Sequence, residues 1–157
     1  VQPETAPSIK PMPLRTDLVV DSSLNDSDPE RGIYTDLRDA IQASSSQATI
    51  ELRGNQPVVA ANIAIEAKSI TLRSATDSSA RLILDTNGQN DPDDQNMFRV
   101  RGDSQLTLEN LAIEAQTTGE RSEAIFDVQS GGTLELRGCV LRLDLHLPNS
   151  KLFMARL

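Results

Sequence analysis

Residues 106–115 read LTLENLAIEA, and residues 134–143 read LELRGCVLRL. Leu106 matches Leu134, Leu108 matches Leu136 and Ile113 matches Leu141, each 28 positions on. Apolar and polar residues alternate in both stretches, the pattern of a strand with one buried face. The same offset links Phe98 to Phe126. Each copy thus holds three short strands: 98–100, 106–108 and 111–115 in one, 126–128, 134–136 and 141–143 in the next. A third copy opens at Leu152-Phe153, with Phe153 27 positions after Phe126. Upstream, 63–65, 70–72 and 82–84 form a looser copy, and 49–52 with 58–59 fit part of an earlier one.

Several short strands repeating within fewer than 30 residues point to stacked repeats. Each strand is then expected to pair in parallel with its equivalent, about 4.8 Å away. Inward side chains form ladders: Phe98, Phe126 and Phe153; Leu106 and Leu134; Leu108 and Leu136. No repeat can bury its apolar face alone, so stability has to come from stacking. The spacing within a repeat also carries information. Leu108 and Leu111 are three apart, as are Leu136 and Cys139, and strict alternation would put them on opposite faces. A bend at Asn110 and at Gly138 returns both to the inside, and these residue types tolerate the left-handed backbone. An antiparallel meander or sandwich is the competing arrangement, but it gives no reason for ladders in register.

Outside the repeat, residues 1–13 hold four prolines and read as an extended tail. Leu18-Val19-Val20 reads as a first strand and 21–32 as a polar loop. Tyr34, Leu37, Ala40 and Ile41 share a face at the helical period, with Thr35 as the expected N-cap and the serines at 44–46 as the stop. The domain boundaries that follow are a tail over 1–16 and a domain over 17–157, with its helix near 35–44.

Leu-x-Leu-x-Asn/Gly-x-x-Ile/Leu, recurring once per repeat, resembles the right-handed parallel β-helix of the pectin-lyase-like superfamily. YTDLRDAI at 34–41, followed by Ala48-Thr49-Ile50-Glu51-Leu52, is similar to the N-terminal cap of such domains in large bacterial multidomain proteins. Some of those carry a Ser/Thr protein kinase domain elsewhere in the chain. The fold this implies is all-β: a right-handed single-stranded parallel β-helix of about four short coils with one N-terminal capping helix. The function it implies is a non-catalytic binding, scaffold or sensory module of a larger bacterial protein, such as a Ser/Thr kinase. The alternative is a fragment of a polysaccharide lyase or hydrolase. The chain has no initial Met and stops inside the alternating LFMARL, so the reading is of a piece of a longer protein. A membrane-anchored bacterial parent would place it outside the cytoplasm.

Composition narrows the partners. A net charge of −8 disfavours nucleic acid and anionic membranes, which need a basic surface. The expected partners are the rest of a parent chain, a carbohydrate or protein ligand, and a second copy meeting the open coil at 152–157. Aromatics make up 3% of the chain and there is no Trp, so the core has to be built from Leu, Ile, Val and Ala. The single cysteine, Cys139, excludes an internal disulfide and reads as a core thiol.

Three features are candidates for chemistry. Arg99 and Asp127, 28 apart, fall beside each other on an outer face, as a base and a carboxylate or as a solvated ion pair. The loop 85–96 holds Asp85, Asp91, Asp93 and Asp94, oxygen donors suited to a hard cation such as Ca²⁺, although their spacing is not that of an EF-hand. His146 is the only histidine and alternates with leucines, which turns it outward without a nucleophile beside it. No phosphate-binding Gly-rich loop, kinase catalytic loop or zinc-ligand spacing occurs, and no catalytic residue is assigned.

Overall fold

The computed structural model describes residues 13–76, 79–84, 96–117, 122–145 and 151–156. The elements in chain order are β1 (Arg15–Asp21), a 3₁₀ turn (Pro29–Arg31), β2 (Ile33–Tyr34), α1 (Leu37–Ala43) and β3 (Ser44–Arg53). Then come β4 (Val58–Val59), β5 (Ile63–Glu66), β6 (Ser69–Ser74), β7 (Arg81–Leu84), β8 (Phe98–Arg101) and β9 (Gln105–Glu109). The remaining strands are β10 (Ala112–Thr117), β11 (Ser122–Val128), β12 (Thr133–Arg137), β13 (Val140–Leu145) and β14 (Lys151–Arg156).

These strands build three parallel sheets. The first has six strands in the order β12-β9-β6-β3-β1-β2, the second has β13-β10-β7-β4, and the third has β14-β11-β8-β5. This corrects the expected architecture. The reading from sequence put every strand into one right-handed β-helix, a uniform solenoid of pectin-lyase-like type with about four coils. The strands are instead divided among three separate sheets of six, four and four. The physical reason lies in the offsets. The 28-residue step holds between β9 and β12, where Leu106 faces Leu134, and between β10 and β13, where Ile113 faces Leu141. Elsewhere Thr49 faces Thr71, Ile63 faces Phe98 and Ile70 faces Leu106, offsets of 22, 35 and 36. The regular step is local to 98–143 and does not extend through the chain. The first sheet also carries β1 and β2, which have no counterpart in the other two.

Two smaller expectations are corrected as well. Phe153 was placed over Phe126, but the register sets Phe153 opposite Ala124 and Phe126 opposite Ala155. The N-cap of α1 is Asp36 rather than Thr35. The Asp36 carboxylate accepts from the backbone N–H of Arg38 and Asp39, satisfying donors that a helix start leaves open. Thr35 is engaged elsewhere, its N–H donating to the Ser27 hydroxyl.

The three sheets share one core. Val20, Ile50, Leu52, Leu72, Leu82, Val100, Leu106, Leu108 and Ile113 are all fully buried. Phe98 and Phe126 stack with their ring centroids 6.4 Å apart and their planes 9° from parallel, an arrangement that adds to simple burial. Helix α1 packs on β1, β2 and β3 and buries Leu37, Ala40 and Ile41 there. The corners follow the left-handed geometry. Asn110 has φ of 55° and Gly138 has φ of 61°. At Gly138 a Cβ would lie 2.5 Å from the Asn110 side-chain oxygen, so a larger residue would have to displace that side chain as well as strain the backbone.

Candidate functional site

The outer face of the first sheet carries ordered rows, because parallel pairing in register puts like positions side by side. One row runs Gln47, Ser69, Gln105 and Thr133. The next runs Asp17, Thr49, Thr71, Thr107 and Glu135. The third runs Glu51, Arg73, Glu109 and Arg137, with charge alternating from strand to strand. A shallow groove of about 400 Å³ lies on the first two rows, lined by Thr16, Asp17, Gln47, Thr49, Ser69 and Thr71. Its lining offers hydroxyl and amide groups with a single carboxylate. Such a surface exchanges hydrogen bonds with a ligand that presents several polar groups, and it holds no acid–base pair.

The charges are paired within the sheets. Arg53 Nε donates to Glu51 at 2.7 Å and Arg73 Nη2 donates to it at 3.2 Å. Chiefly through the Arg53 bond, with Arg73 adding and partial burial opposing, the Glu51 carboxyl is held below its ordinary range. Arg137 donates to both Glu135 (2.8 and 2.9 Å) and Glu109 (2.9 Å), and these bonds, Glu135 first, raise its guanidinium above its usual value. Glu114 in the second sheet sits between Arg81 at 3.4 Å and Arg142 at 3.2 Å. Glu66 of β5 pairs with Arg101 of β8.

Arg99 and Asp127 do meet. Asp127 lies opposite Arg99 in β8–β11, and Arg99 Nε donates to Asp127 Oδ2 at 2.9 Å. Asp127 also accepts from the Gln129 amide at 3.1 Å. Both donors meet the same carboxylate oxygen, so the pair forms a short cross-strand network with Gln129. The ion-pair reading describes this geometry. Cys139 is only half-buried; it packs at the margin of the core and its thiol donates to the Leu108 carbonyl at 3.3 Å. Asp85, Asp91, Asp93, Asp94 and His146 lie outside the described residues. Among the described residues, no group of three or more His, Cys, Asp or Glu is placed to hold a metal ion. No helix there is long and apolar enough to cross a membrane.

One residue that sequence reasoning passed over is Lys68. It precedes β6, and its Nζ donates to the carbonyls of Ile41 (2.7 Å) and Ser44 (2.9 Å) and to the Ser44 hydroxyl (3.2 Å). These are acceptors at the C-terminal end of α1, where a cation is favoured by the helix dipole. Burial pulls the Lys68 ammonium below its ordinary value. Nothing in the sequence marks it, because the contact spans 24 to 27 residues and belongs to no repeat. The groove was passed over for a related reason: its members come from β1, β3 and β6, whose offsets differ from 28.

No protein-family model, curated protein or solved structure matches this chain. The pectin-lyase-like resemblance is therefore corrected on a second ground. The link to kinase-associated or carbohydrate-active proteins, which rested on that resemblance, has no relative behind it.

Proposed function

We propose that the chain is a non-catalytic binding or scaffold module that presents the outer face of its first sheet to a ligand rich in hydrogen-bonding groups. The observation that carries this reading is the pair of neighbouring rows, Gln47–Ser69–Gln105–Thr133 and Asp17–Thr49–Thr71, held at strand spacing over one buried core. Rigid, evenly spaced polar groups suit an extended partner with a repeating pattern of hydroxyls or amides, such as a polysaccharide or an extended peptide. Binding energy then comes from many modest hydrogen bonds, each worth about 0.5–1.5 kcal/mol. Affinity on such a face is weak for a single unit and grows with the number of units engaged.

The test measures binding and turnover together. Titration calorimetry against a panel of neutral and acidic polysaccharides is expected to show binding that strengthens with chain length, and Thr71→Val with Ser69→Ala is expected to weaken it at least tenfold. The same samples are assayed for new reducing ends and for unsaturated uronides. Release of either product would favour the alternative, a fragment of a polysaccharide lyase or hydrolase.

A further inference from the structure

The strands β12, β13 and β14 are the outermost members of their sheets on one side. Each pairs with a single described neighbour, respectively β9, β10 and β11. The exposure of the apolar ladder changes abruptly at this layer. Leu108 is fully buried, whereas Leu136, opposite it, is 38% exposed. Ile113 is fully buried, whereas Leu141 opposite it is only partly covered and Leu143 is 44% exposed. Among the described residues, no strand takes up the backbone on the same side. Thr133 N–H donates to the Ser104 carbonyl and the Arg137 carbonyl accepts from Asn110, so Thr133, Glu135 and Arg137 direct their peptide groups toward β9. By alternation along a strand, Leu134 and Leu136 direct theirs away from it. An apolar strand with an unused row of donors and acceptors is a template for another strand.

The order of charges indicates which strand. We propose that β12 is a dimerisation edge, pairing antiparallel with β12 of a second copy of this chain across a two-fold axis at Leu136. In that register Leu136 faces Leu136 of the partner, and each gives and receives one backbone hydrogen bond. Glu135 then faces Arg137 of the other copy, and Arg137 faces its Glu135. These two positions form the close, non-hydrogen-bonded pairs, roughly 4.5 Å apart at Cα, where side chains interact best. The Glu-Leu-Arg order is what makes the edge self-complementary: each acid meets a base when the strand is reversed on itself. Arg137 uses three of its five N–H donors within its own chain, so it can take part in a network of two arginines and two glutamates. A closed two-fold contact also consumes the edge in one step, which limits assembly to pairs. This surface is separate from the groove on β1, β3 and β6, and the inference does not depend on what the groove binds.

Light scattering at about 0.15 M salt, where the net negative charge is screened beyond about 8 Å, is expected to give twice the 17.1 kDa chain mass at higher concentration. Glu135→Arg sets like charges opposite each other and is expected to weaken the dimer at least tenfold, with far-ultraviolet dichroism unchanged. In a Cys139→Ser background, Leu136→Cys is expected to cross-link into a disulfide dimer under mild oxidation, faster than Arg137→Cys. A monomer at all concentrations overturns the proposal, as does a dimer indifferent to Glu135→Arg. Faster cross-linking at 137 overturns the register. A monomeric chain that captures an added strand-forming peptide assigns the edge to a different partner and also overturns it.

Discussion

β9 and β12 carry almost the same message, Leu-Thr-Leu-Glu and Leu-Glu-Leu-Arg, and have different fates. Leu106 and Leu108 are fully buried because β6 and β12 flank them on both sides. Leu134 and Leu136 have, among the described residues, a neighbouring strand on one side and remain partly exposed. Burial in this molecule belongs to the neighbour as much as to the residue. The ion pairs show the same contrast. Glu51, inside the first sheet, is engaged by arginines from its own strand and from β6, whereas Arg137 at the edge stays largely in solvent.

Truncating equivalent leucines separates the two strands most sharply. Leu108→Ala is expected to cost about 3 kcal/mol by leaving a cavity between two strands, while Leu136→Ala costs less than about 1 kcal/mol in dilute solution. Urea denaturation measures both, and equal losses would show that the two layers pack alike. A second test concerns the corners. Gly138→Ala is expected to cost about 2 kcal/mol, from the left-handed backbone and the contact with the Asn110 oxygen. About half should return in an Asn110→Gly background, since that removes the obstructing atom. Additive losses would show that the two corners are independent.

The smallest expected effect is electrostatic. The Glu51 carboxyl titrates lower in the folded chain than in the unfolded chain. Its contribution is therefore complete above the ordinary carboxylate range and is lost as the pH falls through the lowered folded value. Glu51→Gln is expected to lower the melting temperature slightly near neutral pH, by less than about 1 kcal/mol in stability. The gap from the parent protein should close in acid. A gap that persists below that range would place the effect in packing instead of charge.

Much of the local pairing was legible in the sequence. The constant step between 98–115 and 126–143 identified which residues face each other, including Arg99 and Asp127, and alternation identified the inward side chains. The division into three sheets of unequal size was not legible. It depends on β1 and β2, which follow no repeat, and on insertions that stretch the step to 35 and 36 residues. A regular pattern reports local register well and global closure poorly, since each loop can change length without disturbing the strands it joins. The groove escaped notice because Thr and Ser at strand positions look like ordinary solvent-facing residues. It takes the true offsets to bring Asp17, Thr49 and Thr71 together.

The Lys68 contact has a consequence for the order in which the protein is made. Helix α1 has seven residues, too few to persist alone in water. Its last turn is completed by a side chain that leaves the ribosome 27 residues after Ile41. During synthesis Ser44 reaches the Ile41 carbonyl first, through its N–H and its hydroxyl, and the lysine joins that cap only after β3 and β5 have emerged. The helix comes earlier in the chain than most of the strands, yet the charge at its C-terminal end arrives only with Lys68.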